Sequence, residues 1–549
     1  MSDLSRRIAR AGIAGPALTF LSCAAPAAAQ DAPAPRLDTG DSAWMLVSTA
    51  LVLMMTIPGL ALFYSGLVRS KNVLSTFMHS FFCAALVGVV WVVIGYSLAF
   101  GPSGGPLVGG LEYVMLRGVL GTNHPLAPTI PHMLFVAYQM TFAVITPALI
   151  SGAFAERMRF RAFALFSLLW SLIIYAPLAH WVWGGGWIGT RIGALDFAGG
   201  TVVHIASGIS ALVCALSLGK RVGYPTEATP PHNLPFTLIG AGLLWVGWFG
   251  FNAGSALSAG ELASVALLNT NTAAAAAALA WIGVEFLRGG HATLLGAASG
   301  AVAGLVVITP AAGFVTPGAA LIMGLAGGVV CFFAVSLKSR FGYDDSLDVV
   351  GVHMAGGILG AILTGVFATA SINPAIKDLA LGTPTGLVDG NPGLLPKQLV
   401  AVAITLLYCG VGTYLILKLV ALITPIRASK PDEIIGLDLS QHAERGYNLL
   451  TDALGQSAEP RPAMSPPVVG ERFAIVLDGV DPVAMMDRWR DLCQDGRGSS
   501  VAEFKDVYPV VTTIRGTRFR FRGGQRERIR ASLLRLFADL GPAVSARIE

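Results

Sequence analysis

Eleven stretches of this chain are apolar over the length needed to cross a bilayer, and that fact bounds the fold before any single residue is considered. Their approximate limits are 43–67, 73–100, 131–154, 162–183, 199–219, 234–254, 262–287, 292–309, 316–337, 347–370 and 397–423. A spanning helix needs about 20 mostly apolar residues. Inside hydrocarbon each backbone group must be satisfied within the protein, so helices are the expected form. Only 13% of the 549 residues are charged, about half the share usual in a soluble protein. The 65 glycines suit helices that approach one another closely. The expected class is an all-α membrane protein. A net charge of +5 is small for this length and argues for a chain in a lipid bilayer, with no nucleic-acid partner. The six cysteines, Cys23, Cys83, Cys214, Cys331, Cys409 and Cys493, lack CxxC spacing. They read as small buried hydrophobes, with no disulfide framework and no metal site.

Loop charges give an orientation. The loops after odd-numbered segments hold Arg69 and Lys71, then Arg157, Arg159 and Arg161, then Lys220 and Arg221, Arg288, Lys338 and Arg340, and Arg427 and Lys430. The loops after even-numbered segments hold only Arg117, Arg191, Lys377 and Lys397. By the positive-inside rule the mature N-terminus is outside and the C-terminus cytoplasmic, in a multi-pass protein of the cell inner membrane. With eleven spans, segments one to five and six to ten enter from opposite sides. This is an inverted five-helix repeat with one extra span.

Two histidines fall in matching places of that repeat. Val203-His204-Ile205-Ala206-Ser207-Gly208 lies on the fifth segment and Val352-His353-Met354-Ala355-Gly356-Gly357 on the tenth. An imidazole among lipid-spanning helices is costly and marks a functional position by default. A pseudo-two-fold axis in the membrane plane would bring the pair together near the midplane. The plainer reading is two unrelated histidines that bridge helices.

The ends of the chain differ in composition. Residues 1–29 read as a signal peptide: Arg6, Arg7 and Arg10, a short apolar run from Ile13 to Ala25, and Ala27-Ala28-Ala29 as a small-residue cleavage site. An uncleaved anchor is the alternative. Residues 30–41 form a linker, 42–424 the eleven-helix domain, 425–450 a polar tail, and 451–469 a Pro-rich linker. Residues 470–549 read as a small soluble α/β module of βαββα order, with strands at 473–477, 507–513 and 517–521 and helices at 482–493 and 525–540. The basic face of its last helix, with Arg526, Arg528, Arg530 and Arg535, reads as a solvated surface, or as a regulatory surface that touches anionic lipid.

Aromatic residues, a hydroxyl and a carboxylate collect at the outer mouth. His180-Trp181-Val182-Trp183 ends the fourth segment, Asp196 precedes the fifth, and Gly247-Trp248-Phe249-Gly250-Phe251-Asn252-Ala253-Gly254-Ser255 ends the sixth. An interfacial aromatic belt accounts for Trp181 and Trp187, and less well for a Trp-Phe-Gly-Phe run with a hydroxyl one turn away. With these stretches the chain resembles the ammonium transporters (Amt/Mep/Rh) from about Asp41 to Asn448. The resemblance also rests on Pro58-Gly59-Leu60-Ala61-Leu62-Phe63-Tyr64-Ser65-Gly66-Leu67, Gly152-Ala153-Phe154-Ala155-Glu156-Arg157, and Leu195 through His204. Asp348 through His353, and Gly436-Leu437-Asp438 with His442 and Tyr447, complete it.

The resemblance implies a homotrimer with a pore in each subunit. It implies that Trp183, Ser255 and Phe142 form an external ammonium site, that Phe142 and Phe251 form a stacked gate, and that Asp196 is a buried carboxylate shaping that site. It implies that Trp248 and Thr309 line the pore and that His204 and His353 are its paired imidazoles. The Trp and Ser favour the bacterial Amt branch. The tail would pack beneath neighbouring subunits and, with the cytoplasmic loops, form a docking surface for a PII-type signal protein. The module from 470 onward departs from the family pattern and puts added mass beneath the pore.

The chemistry fits these residue types. A Trp face attracts a cation. A serine oxygen accepts a hydrogen bond that ammonium can donate and potassium cannot. Asp196 supplies negative potential, and also suits the N-cap of the fifth segment. Beyond the phenyl rings a bare cation is penalised and neutral ammonia is not. Two imidazoles in contact can share a proton. The expected function is electrogenic uptake, in which ammonium is deprotonated and ammonia passes while the proton follows the histidines. The alternatives are an ammonium sensor signalling through the 470–549 module and a channel for another neutral gas such as carbon dioxide. No triad, cofactor fingerprint or phosphate loop points to an enzyme.

Overall fold

The computed structural model describes residues 37–447 except 228, 383 and 384, and then 472–478, 480–494, 507, 511–515, 518–522, 526–540 and 545–548. The expected signal peptide at 1–29, the first part of the 30–41 linker, and the 451–469 linker lie outside the described residues.

Among the described residues, ten helices are long and apolar enough to cross a membrane. They are α1 (Thr39–Leu67), α2 (Ser70–Phe100), α3 (His132–Phe154), α4 (Phe160–Val182), α5 (Gly200–Leu218), α6 (Leu234–Ala256), α7 (Glu261–Gly289), α9 (Pro317–Phe341), α10 (Val350–Phe367) and α11 (Leu394–Ile423). The expected eighth segment forms α8, Leu294–Ile308, a helix of 15 residues. At 1.5 Å per residue it is about 22 Å long, short of a bilayer core of about 30 Å. It ends where Thr309 and Pro310 lead into a turn.

Local chemistry sets several helix starts. Asp38 accepts from Asp41 N at 2.8 Å before α1. Asn233 accepts from Phe236 N at 3.0 Å before α6, and Thr293 from Gly296 N at 2.8 Å before α8. These are N-caps, each satisfying a backbone donor that the helix cannot. Gly290 and Gly342 close α7 and α9 at φ 73° and 69°, left-handed conformations that glycine adopts without strain.

Small residues set the packing. On α7, Ala273 and Ala277 present their carbonyls to Gly304 of α8 and to Gly324 and Gly328 of α9, where any Cβ would collide with that backbone. In a membrane this contact, and not apolar burial, drives association. The same device joins α5 to α10. A Cβ on Gly208 would meet the Met354 backbone, and one on Gly357 would stand 3.1 Å from His204 Cβ. Each glycine is four residues past its own histidine and seats against the other histidine's turn. The contact is therefore reciprocal, as an inverted pair requires.

The arginine-bearing loops converge at one end of the bundle. Glu156, 1% exposed, accepts from Arg69 Nε at 3.0 Å, Asn72 Nδ2 at 2.9 Å and Arg221 NH1 at 3.1 Å. Burial alone would raise its pKa; the Arg69 and Arg221 guanidiniums hold it below the ordinary carboxylate range. Asp344 accepts from Arg221 Nε and NH2, each at 2.9 Å. Two short helices of the tail, α12 (Lys430–Ile435) and α13 (Leu437–His442), lie against this end. Asp438 of α13 accepts from Ser75 N at 2.7 Å and Leu74 N at 3.0 Å, and so caps α2.

Among the described residues the last segment carries four strands, β1 (Arg472–Asp478), β2 (Val511–Arg515), β3 (Arg518–Arg522) and β4 (Ser545–Ile548), with α14 (Pro482–Gln494) and α15 (Arg526–Leu536) between them. The sheet order is β2-β3-β1-β4, antiparallel throughout. This corrects the expected βαββα order to βαββαβ, a split βαβ arrangement. Ser545-Ala-Arg-Ile548 is too short and polar to read as a strand; its pairing with β1 makes it one. The second strand also begins later than expected, at Val511.

Candidate functional site

Both histidines lie on π-helical turns, Gly200–Ile205 and Val350–Met354, which open their helices. Such turns recur at functional positions. Their imidazoles meet: His204 Nδ1 and His353 Nδ1 are 3.2 Å apart, ring centroids 5.3 Å apart and the planes 28° from parallel. Both side chains are buried, at 1% and 4% exposure. His204 is also stacked on Trp248 at 5.4 Å. Trp248 Nε1 donates to Thr309 Oγ1 at 2.9 Å, and that oxygen is 3.4 Å from His204 Nε2. Thr309 is not among the residues lining the cavity the two rings share, and its hydroxyl donates to Leu305 O at 2.7 Å.

That cavity is about 10 Å³, lined by Trp248, Phe251, His204 and His353 among apolar side chains of α1, α3, α5, α6 and α8. It is close to the least volume that admits one water-sized molecule. A second cavity of about 60 Å³ begins at His353 and includes Tyr64, Ser299 and Asp348, toward the arginine-rich end.

On the other side of the histidines stand the aromatic residues. Phe142 and Phe251 lie with ring centroids 4.3 Å apart and planes 30° apart. Phe142 meets Trp183 edge-on at 6.2 Å. Ser255 Oγ donates to Phe251 O at 2.8 Å and is 3.2 Å from Tyr138 OH. Trp183 Nε1 donates to the Asp196 carbonyl at 2.9 Å. The Asp196 carboxylate faces its own helix: it accepts from Gly199 N at 2.8 Å, Gly200 N at 2.6 Å, Thr201 N at 2.8 Å and Val202 N at 3.2 Å, and from the Thr201 hydroxyl. Burial raises its pKa, against the pull of those donors. Asp196 thus caps α5 with its side chain and holds Trp183 with its backbone.

The sequence profile of the Ammonium Transporter Family matches residues 43–447. The chain belongs to the ammonium transporter family. It is 55% identical over 412 residues to an ammonium transporter of Bacillus subtilis, covering 75% of this chain and 99% of that one. It is 49% identical over 416 residues to an ammonium transporter of Aquifex aeolicus, covering 75% and 95%. Among solved structures, Saccharomyces cerevisiae Mep2 superposes with a TM-score of 0.67 at 37% identity, over 72% of this chain and 88% of that one. A structure titled "Sensor Amt Protein" superposes with a TM-score of 0.66 at 26% identity, over 73% and 98%.

Two polar residues of this ammonium transporter family member escaped the sequence reading. Tyr138 donates to Gly250 O or Phe251 O, each at 2.9 Å, and ties the Ser255 turn to α3. Nothing in its surroundings in the sequence distinguishes it. Asp345 did leave a signal: it stands eight residues before His353, as Asp196 stands eight before His204. Asp345 Oδ2 accepts from Val350 N at 2.7 Å at the start of α10, while its buried Oδ1 has no hydrogen-bond partner among the described residues. Burial, then the Asp348 charge, pushes its pKa up to about 6. It is the counterpart of Asp196 at the opposite mouth.

Proposed function

We propose that this protein takes up ammonium by separating it into ammonia and a proton, and that the eighth helix completes an eleventh crossing with its C-terminal turn. The N-terminus is outside, the C-terminus is cytoplasmic, and residues 1–29 act as a signal peptide for insertion into the cell inner membrane. Ammonium is held by the Trp183 face, the edge of Phe142 and the Ser255 oxygen. Ser255 spends its own proton on Phe251 O, so toward a ligand its oxygen acts as acceptor, which ammonium satisfies and potassium does not.

Phe142 and Phe251 close the way inward, and a cation past them would lose its hydration in an apolar channel. Ammonium gives up one proton there, ammonia continues through the narrow cavity, and the two recombine on the cytoplasmic side. The histidine pair carries the proton, both rings exchanging tautomers as it passes inward, and the hydrogen-bond order around Thr309 supports one resting arrangement of their ring hydrogens. Thr309 gives its one proton to Leu305 O and accepts from Trp248. Toward His204 Nε2 its oxygen only accepts, so His204 holds its proton on Nε2. The bare His204 Nδ1 accepts from His353 Nδ1–H, and His353 Nε2 is left as acceptor toward the cytoplasmic side.

The observation that carries this reading is the 3.2 Å approach of the two Nδ1 atoms beside a cavity of about 10 Å³. The assembly is a homotrimer, and the tail that caps α2 is where a PII-type signal protein would act. The relatives named ammonium transporters match the chain without the sheet module, which favours flux over sensing as the primary activity. Charge movement in proteoliposomes on a supported membrane tests the reading. An ammonium jump should give an inward current, and a potassium jump none. Ammonia flux without current would overturn it.

A further inference from the structure

We infer that the sheet module docks an acidic polypeptide, an extended segment of a partner protein with carboxylates at alternate positions, on the face of its sheet that the helices leave open. The two faces of the sheet differ sharply. Ile475 and Leu477 of β1 and Phe519 of β3 are buried against Met485 and Trp489 of α14 and Leu533 of α15, with the Trp489 and Phe519 ring centroids 5.4 Å apart. Successive residues of a strand point to opposite faces, so the residues between these face away from both helices. Arg518 and Arg520 of β3 and Arg547 of β4 are exposed there. The register pairs Val476 of β1 with both Arg518 and Arg547, and Ala474 with Arg520. Two small aliphatic residues on a central strand thus have arginine strands on either side. Arg472, Arg515 and Arg522 hold positions of the same alternation. Asp478 is the one carboxylate among the described residues of that face.

Charge and spacing select the occupant. Arginines against a lone carboxylate give the face a positive potential, which draws an anionic partner and orients it. The small net charge of the whole chain, +5, conceals this local excess. Arg547 Nε lies 3.6 Å from Asp478 Oδ2, so the face already sets a carboxylate beside a guanidinium, and the planar fork suits that group. Alternate residues of β3 stand about 6.7 Å apart. An extended peptide laid along the strand has the same repeat, so a carboxylate at every second position meets one arginine after another. A single nucleic-acid strand is held largely by bases stacked on aromatic rings. Among the described residues of the sheet the aromatic ring is Phe519, and it is turned to the helices.

The test is fluorescence anisotropy of labelled probes with the full-length protein in neutral detergent. The probes are a peptide of alternating Glu and Thr, a peptide of the same composition with its glutamates in one block, and a uridine oligonucleotide of the same charge. The alternating peptide should bind most tightly. Arg518→Gln/Arg520→Gln should weaken its binding about five-fold, as expected for two exposed ion pairs. Arg528→Gln/Arg535→Gln removes as much charge from exposed positions of α15, beyond the other face of the sheet, and should leave binding unchanged. Arg518→Lys/Arg520→Lys keeps the charge without the fork and should bind with intermediate strength, which separates a lost contact from an unfolded module. Equal binding of the alternating and block peptides, or equal loss in the two Gln variants, would overturn the inference. So would tighter binding of the oligonucleotide, since a nucleic acid would then be the occupant.

Discussion

Gly208 on α5 lies so close to Met354 on α10 that a Cβ would stand 2.6 Å from the Met354 Cα. The two helices can cross at the histidines only because this position carries no side chain. Gly208→Ala should therefore separate the helices or strain them, at a cost of about 1–3 kcal/mol for overpacking. The expected readouts are a melting temperature lower by several degrees in detergent and a smaller ammonium current. An unchanged current would mean that the crossing tolerates displacement.

Thr309 tests the hydrogen-bond order around the pair. Thr309→Val keeps the shape and removes the acceptor of Trp248 Nε1 and His204 Nε2. A buried donor left unpaired costs about 1–3 kcal/mol. The current should fall, and the tautomer preference of His204, read by nitrogen NMR, should be lost. Thr309→Ser, which retains the oxygen, should restore both.

Asp345 supplies a pH signature. Its pKa in the folded protein, about 6, is above the value near 3.9 of an exposed aspartate. The folded protein thus binds this proton more tightly than the unfolded chain. The resulting stability is fully present below about pH 4 and is lost as pH rises through about 6. Asp348 opposes ionisation of Asp345 and Lys338 favours it. Asp345→Asn should flatten this dependence, so that the variant gains on the parent by about 2 kcal/mol between pH 4 and pH 7. Melting temperatures in detergent across that range measure it; a constant difference between the two proteins would contradict the assignment.

Asp196 separates structure from electrostatics at the outer mouth. Asp196→Ala strips the acceptor from four backbone N–H groups at the start of α5, those of Gly199 to Val202, and should destabilise the protein by more than the roughly 1 kcal/mol of an ordinary N-cap. Asp196→Asn keeps one acceptor oxygen and loses the charge. Partial recovery of stability with low ammonium affinity is the expected outcome. Full recovery of both would leave the charge without a role.

Much of this was legible in the sequence because a spanning helix writes its length and polarity directly into the chain. The matching environments of His204 and His353 signalled the crossing, and Asp196 read correctly as a possible cap. The length of α8 did not show, because the apolar run continues through Thr309 and Pro310 while the helix does not. Tyr138 and β4 depend on partners more than 60 residues away, Phe251 and Val476 among them, and short sequence windows carry no trace of such pairings.

The central claim is that ammonia and its proton part company beside the two imidazoles. Its most direct test is ammonium-evoked current from proteoliposomes bearing His204→Ala/His353→Ala, recorded on a supported membrane with potassium as the competing cation. The account predicts loss of selective proton-coupled current, leaving either no charge movement or an unselective cation leak. Full current with unchanged discrimination against potassium would contradict it.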